Sequence, residues 1–323
     1  MSKLKKSFTL TAIVLSLACL LMVCIPFHVT ANAAEKADLK IASAEDLIAF
    51  SQRVNAGETF AGKRVVQTAN IQLNDVPFTP IGLYGKGKYF YGVYDGQGHT
   101  IAGLNISKAC GTSNNGLFGQ LGGTVMNLGL IDGEISGACC GSFASHAAST
   151  QAMIINCYST LSLRCSRTGG IADNFIGSII NCLYYNPTQK FAAIGYHVAS
   201  LYHTFAQKPL PKTFKGFAQN YQLLSSAPTA KTVKALNKYR ATAFVKFTLP
   251  ENTALYGWEL KNGEVGFSNQ SISKSAARVF LYLKENVPTI CFLAVTVLSF
   301  TFVCLGIVLE KKAEKNKAGK NDE

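Results

Sequence analysis

An apolar pair followed by asparagine recurs along the chain at nearly regular intervals. The copies are Val125-Met126-Asn127-Leu128, Ile154-Ile155-Asn156-Cys157 and Ile179-Ile180-Asn181-Cys182, and they begin 29 and 25 residues apart. Ile101-Ala102-Gly103-Leu104 begins 24 residues before the first copy and fits the same frame, with glycine at the asparagine position. Such a period is the signature of a repeat architecture, in which similar units stack because none buries its apolar face alone.

A second marker supports the same period. Glycine opens a short apolar run at Gly116-Leu117-Phe118-Gly119, Gly141-Ser142-Phe143-Ala144 and Gly170-Ile171-Ala172-Asp173, 25 and 29 residues apart. Short β-prone runs between glycines, without leucines at fixed offsets, favour a parallel β-helix over a leucine-rich repeat. The sequence therefore predicts a mainly β fold, a parallel β-helix of about five coils with a period near 25.

The aligned asparagines predict a feature of their own. Parallel strands of successive coils lie about 4.8 Å apart, so Asn127, Asn156 and Asn181 should form a short ladder at one turn. We expect them to satisfy backbone groups at that bend; a role in ligand binding is the alternative.

Five short motifs stand together in the first half of the chain: Ala44-Glu45-Asp46-Leu47, Val54-Asn55-Ala56-Gly57, Pro80-Ile81-Gly82, Tyr94-Asp95-Gly96-Gln97-Gly98-His99-Thr100-Ile101 and Gly116-Leu117-Phe118-Gly119. With these motifs, the chain resembles the bacterial cell-surface proteins that carry GLUG repeats. The resemblance covers residues 40 to 185, and Ala235-Leu236-Asn237, Trp258 and the Asn262-Gly263 turn are similar to the terminal segment of such proteins. Asn70 stands where the family often has aspartate. The resemblance implies a right-handed β-helix on a cell surface and no defined chemistry.

Local signals place caps at both ends of the expected solenoid. Ser43 with Asp46 three residues later is a capping-box pattern, so residues 34–62 should hold a helix that covers the N-terminal end. Residues 63–198 should be the β-helix. Residues 199–270 are expected to form a basic C-terminal cap, with a helix from Thr229 to Arg240, followed by a juxtamembrane segment at 271–286.

The two termini carry the targeting signals. Three lysines precede the uncharged run from Ser7 to Ala34, and Ala31-Asn32-Ala33 suits a signal peptidase, so residues 1–33 should be a signal peptide; an uncleaved anchor is the alternative. Val287 to Leu309 has no charge and is long enough to cross a bilayer as a helix. The lysine-rich residues 310–323 then form a cytoplasmic tail, which leaves the body of the protein outside the cell membrane.

The positive charge of the chain is unevenly distributed. The formal net charge is +13, but Ala34 to Gln189 is neutral, and Lys190 to Val287 carries 13 basic and 4 acidic residues. Nucleic acid is not expected as a partner, because this segment should be outside the cell. Anionic lipid headgroups or wall polymers are expected partners of the basic half, unless it is only a solvated surface.

The sequence gives little support for a catalytic site. Glycoside hydrolysis needs a pair of carboxylates, and the two candidates within the coils, Glu134 and Asp173, fall on different parts of the coil. We expect both to be solvated surface carboxylates. His99, His146, His197 and His203 form no zinc-binding spacing, and no phosphate-binding or dinucleotide-binding motif occurs. The sequence gives no catalytic, cofactor-binding or metal-binding residue and no cofactor.

Six cysteines lie in the segment expected outside the cell: Cys110, Cys139, Cys140, Cys157, Cys165 and Cys182. Cys157 and Cys182 follow the asparagines and should stack on adjacent coils, where either a disulfide or two buried thiols would fit.

These features predict a membrane-anchored bacterial cell-surface protein. Its β-helix should be non-catalytic and serve in adhesion or in binding extracellular glycans or host proteins. Two alternatives stay open: a polysaccharide lyase or hydrolase of β-helix type, and a structural protein that organises the envelope.

Overall fold

A computed structural model describes residues 37–279, except residues 75, 108–113, 197, 213 and 215, together with scattered positions between 281 and 306. The helices are α1 (Ala44–Ala56) and α2 (Ala230–Lys246). The strands are β1 (Leu39–Ile41), β2 (Arg64–Gln67), β3 (Ile71–Gln72), β4 (Val93–Asp95), β5 (Thr100–Ala102), β6 (Asn105–Ile106), β7 (Asn114–Asn115), β8 (Phe118–Leu121), β9 (Thr124–Met126), β10 (Gly129–Ile131), β11 (Glu134–Gly141), β12 (Ala144–Ala147), β13 (Met153–Ile155), β14 (Tyr158–Ser159), β15 (Ser162–Gly169), β16 (Ala172–Ile180), β17 (Leu183–Tyr184), β18 (Val198–Tyr202), β19 (Phe205–Ala206), β20 (Phe217–Gln219), β21 (Gln222–Leu223), β22 (Ala254–Lys261) and β23 (Glu264–Ser273).

Parallel pairing between successive turns stacks the strands into sheets. One face contains β1, β2, β4, β9, β13, β16, β18 and β20, in that order, and a second contains β3, β5, β10, β14, β17, β19 and β21. On the remaining sides, β6 and β7 pair with β11, β11 pairs with β15, and β12 pairs with both β8 and β16. The result is a parallel β-solenoid of about five turns, which confirms the predicted stacked-repeat architecture.

The copies of the repeat that contain asparagine align between turns as predicted, but the predicted alignment of Ile101-Ala102-Gly103-Leu104 with them is wrong. Val125 pairs with Ile154, as the repeat indicates. On the preceding turn, however, Val125 pairs with Tyr94, whereas Ile101 pairs with Leu130 on the second face. Both strands of that turn have an apolar centre, so the sequence pattern alone does not decide which one stacks on Val125.

Helix α1 packs on the first turns of the solenoid. Asp46 N donates to Ser43 Oγ at 3.2 Å and Ser43 N donates to the Asp46 carboxylate at 3.1 Å, which confirms the predicted capping box. The helix ends at Gly57, whose φ of 116° favours glycine. The buried ring of Phe50 meets Phe90 in an edge-to-face contact, with 5.4 Å between centroids. Burial of such rings stabilises this end by about 2 to 3 kcal/mol each.

The solenoid continues past residue 198, which the sequence predicts as its end. β18 pairs with β16, and β20 pairs with β18. Partner positions are 25 residues apart from Ile154 to Ile179, then 22 to Leu201 and 17 to Ala218. The turns shorten, so the period fades from the sequence before the stack of strands ends.

Helix α2 and the antiparallel hairpin β22–β23 lie along the side of the solenoid. The prediction that residues 199–270 form a C-terminal cap is therefore wrong. Asn127 Nδ2 donates to the carbonyl of Ala254, and Asn156 Nδ2 donates to that of Tyr256. A cap over the C-terminal end would not reach these two turns in the middle of the stack. The hairpin also extends to Ser273, beyond the expected boundary at residue 270.

The expected signal peptide at residues 1–33 and cytoplasmic tail at residues 310–323 lie outside the described residues, as does most of the expected membrane-spanning segment from Val287 to Leu309. Among the residues that are described, no helix combines the length and apolar character needed to cross a membrane.

Candidate ligand-binding groove

Three asparagines form the predicted ladder at one corner of the solenoid. Asn127, Asn156 and Asn181 have φ values of 52°, 54° and 54°, a left-handed conformation that asparagine adopts more readily than most residues. Asn156 Nδ2 donates to Asn127 Oδ1 at 2.9 Å, and Asn181 Nδ2 donates to Asn156 Oδ1 at 2.8 Å. The ladder is confirmed, and all three side chains are buried.

Strand β22 completes the hydrogen bonding of Asn156, the middle residue of this ladder, whereas Asn181 Oδ1 is buried without a partner among the described residues. Tyr256 N donates to Asn127 Oδ1 at 3.2 Å, Tyr256 O accepts from Asn156 Nδ2 at 3.0 Å, and Trp258 Nε1 donates to Asn156 Oδ1 at 2.7 Å. Both hydrogens of the Asn156 amide and its oxygen are therefore engaged. In the described part of the chain, the asparagine side chains thus bond to one another and to strand β22, and not to backbone groups at the bend as expected, so the ladder attaches the hairpin.

An ion pair lies at the N-terminal end of the ladder. Asp95 Oδ1 accepts from Asn127 Nδ2 at 2.9 Å, while Asp95 Oδ2 accepts from the Arg64 guanidinium at 2.9 Å. Burial raises the pKa of the Asp95 carboxyl, and the charge of Arg64 opposes that rise. The polar column is thus continued by a buried, paired charge.

A histidine takes the corresponding position on the turn after Asn181. His203 has a φ of 48°, and its ring stacks on Tyr239 with 3.5 Å between centroids. Its Nδ1 lies 3.2 Å from Asn220 Nδ2. Burial, together with the charges of Lys246 and Lys238, lowers the pKa of His203 to about 4, so the ring is neutral at pH 7.

A groove of about 420 Å³ opens between the second face of the solenoid and the turn of the hairpin. Its walls come from segments 131–133, 158–162 and 183–188 and from the hairpin turn at 263–265. This volume is within the range of small-ligand sites in proteins. The groove therefore joins three successive turns with a separate C-terminal element.

Several polar groups in the groove have no hydrogen-bonding partner among the described residues. Tyr158 is a buried residue, 4% exposed, that lines the groove, and its hydroxyl makes no such bond. The hydroxyls of Thr160 and Ser162 and the carboxylates of Asp132 and Glu264 are likewise uncommitted within the described part. The Tyr158 hydroxyl is therefore open to a hydrogen bond from a bound molecule.

The electrostatics of the groove keep this hydroxyl protonated. Burial raises the pKa of Tyr158, and the charges of Glu264 and Asp132 raise it further. Its ring packs against Phe267 with centroids 5.3 Å apart and against Trp258 at 6.0 Å. Tyr158 is thus a neutral hydrogen-bonding group, held by two aromatic rings in a groove that also contains two carboxylates.

Asn186 makes one wall of the groove rigid. Its Nδ2 donates to the carbonyl of Thr160 at 2.8 Å, and its Oδ1 accepts from Thr188 N at 3.0 Å and Gln189 N at 2.9 Å. The side chain of Tyr185, half-buried beside it, also lines the groove. A wall held in this way is preorganised, which lowers the entropic cost of binding.

The two carboxylates considered from sequence do not converge. Glu134 pairs with Arg164 at 2.7 Å on the surface. Asp173 pairs with Arg167 at 2.8 Å, but its side chain is fully buried, so the expectation of a solvated carboxylate is wrong for Asp173. Burial raises its pKa and Arg167 lowers it. The guanidinium of Arg167 thus compensates the charge of the buried Asp173 carboxylate.

The histidines lie apart from one another. His99 Nδ1 is 3.2 Å from Asn70 Oδ1, and His146 Nδ1 is 2.9 Å from Ser145 Oγ. His197 lies outside the described residues. The described part of the chain contains no group of three or more histidine, cysteine or acidic side chains placed to hold a metal ion.

The cysteines resolve the alternative left open by the sequence. Cys157 and Cys182 are buried free thiols on adjacent turns, so the hypothesis of a disulfide between them is wrong in this structure. A disulfide instead joins Cys140 and Cys165, whose Cα atoms are 5.9 Å apart. Small buried thiols pack as apolar residues inside the solenoid.

The sequence pattern missed the residues of the groove. Asp132 and Gly133 form an Asp-Gly dipeptide, which is typical of a turn, and the φ of 49° at Asp132 agrees with that role. Tyr158 follows the repeated Asn-Cys pair, so an aromatic residue after the ladder was the available signal. Glu264 carries no signal, because its position depends on where the hairpin docks.

No protein-family model, no curated protein and no solved structure matches the chain. The resemblance to GLUG-repeat surface proteins therefore stays a prediction, as does the handedness of the solenoid that it implies.

Proposed function

We propose that this protein is a non-catalytic binding protein of the bacterial cell surface, and that the groove beside Tyr158 binds an extracellular glycan. The observation that carries the proposal is the uncommitted hydroxyl of a tyrosine that is 4% exposed. A glycan hydroxyl would complete the hydrogen bonding of that group.

The other groups of the groove suit a sugar. Sugar rings present many hydroxyls and a less polar face, and they match sites that combine hydrogen-bonding groups with an aromatic ring. Thr160 and Ser162 offer hydroxyls, and Tyr185 offers a partly exposed ring. The rigid wall around Asn186 favours one orientation of a bound ligand.

Display on the cell surface is the part of the proposal that rests on sequence. The signal at residues 1–33, the apolar segment from Val287 to Leu309 and the lysine-rich tail support export of the solenoid and anchoring at its C-terminal side. The basic segment from Lys190 to Val287 would then face anionic headgroups or wall polymers.

A polysaccharide-degrading enzyme is the second candidate. Asp132 and Glu264 line one groove, and two carboxylates around a bound sugar are the usual requirement for glycoside hydrolysis. Neither makes an ion pair with a described residue. The binding experiment should therefore include an assay for shortened products.

The test uses the purified full-length protein on an array of bacterial and host glycans. We expect binding to a defined set of glycans and about tenfold or greater loss of affinity in Tyr185→Ala, because the ring would no longer contact the sugar. The matched control is Tyr91→Ala, which removes an exposed tyrosine that does not line the groove.

Two results would overturn the proposal. The first is the absence of binding to every glycan at low and moderate salt. The second is release of shortened products that is lost in Asp132→Asn or Glu264→Gln, which would establish the enzyme instead.

A further inference from the structure

We infer that the groove selects an amine-bearing sugar, one whose ring carries a free, protonated amino group. The inference rests on the proposed function and specifies its ligand class. It follows from the sign of the charged side chains that line the groove.

The groove is acidic in a chain that is basic overall. Its charged lining residues are Asp132 and Glu264, both negative, and the described lining includes no lysine or arginine. The formal net charge of the chain is +13, and α2 alone contributes Lys231, Lys234, Lys238, Arg240 and Lys246 without an acidic residue. The local sign of the groove is therefore opposite to that of the neighbouring helix.

Both carboxylates are available to a ligand. The nearest acidic side chain along the solenoid, Glu134, is bound to Arg164 at 2.7 Å, whereas neither Asp132 nor Glu264 has such a partner among the described residues. Two unpaired carboxylates in one concave site attract a cation and repel anionic sugars such as uronic acids.

Tyr158 lines the same groove as the two carboxylates and is the most buried of the three residues. The charges of both carboxylates act on its hydroxyl. A tyrosine hydroxyl with a raised pKa remains neutral, so it can accept a hydrogen bond from an ammonium group while the carboxylates accept others. The adjoining hydroxyls of Thr160 and Ser162 are then left for the hydroxyls of the sugar ring.

The experiment compares three oligosaccharides of equal length by calorimetric titration of the full-length protein. They are an oligomer of glucosamine, its N-acetylated counterpart and a β-1,4-glucose oligomer. We expect the glucosamine oligomer to bind at least about tenfold more tightly than either neutral oligomer, with an affinity that falls as salt is added.

Matched variants separate the charge of the groove from its shape. Asp132→Asn and Glu264→Gln should each weaken binding of the amine about fivefold and leave the neutral oligomers unaffected. Asparagine tolerates the left-handed backbone at position 132, so folding should be preserved; an unchanged melting temperature checks this. Glu251→Gln, a loss of the same charge at an exposed carboxylate outside the groove, should have no effect.

The outcomes distinguish the inference from the proposed function. Equal binding of charged and neutral oligomers, unchanged in Asp132→Asn and Glu264→Gln, would overturn the amine selectivity and leave glycan binding intact. No binding of any oligosaccharide, here or on the array, would overturn both. Tighter binding of a lysine tripeptide than of the glucosamine oligomer would also overturn the inference, because it would show that the groove takes basic peptides.

Discussion

Trp258 Nε1 donates a 2.7 Å hydrogen bond to Oδ1 of Asn156, a residue 102 positions earlier in the chain. The same oxygen accepts a second bond from Asn181 on the next turn. This buried contact attaches the C-terminal hairpin to the middle of the solenoid, and the turn of that hairpin supplies Glu264 to the groove. Docking of the hairpin and the shape of the groove therefore depend on the asparagine ladder.

The first prediction concerns this contact. Trp258→Phe keeps a buried aromatic ring but removes the indole donor, so the free energy of unfolding should fall by about 1 to 2 kcal/mol. Urea denaturation followed by circular dichroism is the appropriate measurement, because Trp258 is the single tryptophan of the chain. An unchanged midpoint would show that the hairpin docks without this bond.

The second prediction separates the ladder from backbone strain. Asn156→Ala removes a side chain with four ladder and hairpin hydrogen bonds and leaves buried groups unpaired, so it should cost at least about 3 kcal/mol. Asn74→Ala is the control: Asn74 has a φ of 50° but is exposed. It should cost about 1 kcal/mol, from the left-handed backbone alone. Equal losses in the two variants would contradict a structural role for the ladder.

These contacts also show how far the sequence determines the structure. The repeat of apolar pairs before Asn127, Asn156 and Asn181 predicts the stacked strands and the ladder, because both depend on local periodicity. It does not predict that Tyr94 stacks on Val125, since the length of an irregular turn decides that register. The same limit hides the last turns, which shorten and lose the period.

The groove was less predictable than the fold. Tyr158, Asp132 and Glu264 come together only because an antiparallel hairpin docks against the side of the solenoid. That docking depends on the match between Trp258 and Asn156, which are too far apart in sequence for any local pattern to join them.

The third prediction concerns acid. The pKa of His203 is about 4 in the folded protein, below its ordinary value near 6.5, because of burial and the charges of Lys246 and Lys238. Below pH 6.5 the unfolded chain binds a proton that the folded chain excludes, so stability falls as the pH drops from 6.5 toward 4. We expect this residue to account for about 2 to 3 kcal/mol of that loss.

His203→Asn tests this prediction, because asparagine occupies the same position on neighbouring turns. The free energies of unfolding of the variant and the original protein are compared at pH 7 and pH 4.5. The variant should lose less stability between the two values. The same loss in both proteins would show that His203 does not titrate as described.

The fourth prediction concerns the disulfide between Cys140 and Cys165. It closes a segment of 25 residues, so its reduction should lower the free energy of unfolding by about 3 kcal/mol. A double variant, Cys140→Ala/Cys165→Ala, should be insensitive to the reductant. A decrease of the same size in the double variant would assign the effect to other cysteines.

Labelling of thiols in the native protein provides the companion measurement. Cys139 is partly exposed and should react, whereas Cys157 and Cys182 are buried and should react only after unfolding. Burial also raises the pKa of Cys157, so this side chain stays protonated, and the protonated thiol does not react with the label. Native labelling of Cys157 or Cys182 would contradict their place in the solenoid core.

The most direct test of glycan binding in the groove is calorimetric titration of Tyr158→Phe with the glycan that binds most tightly on the array. This substitution removes one hydroxyl that has no partner among the described residues, so stability should not fall. The account predicts an affinity at least about tenfold lower than that of the original protein, at an unchanged melting temperature. Equal affinity in the two proteins would contradict it, because the ligand would then bind elsewhere.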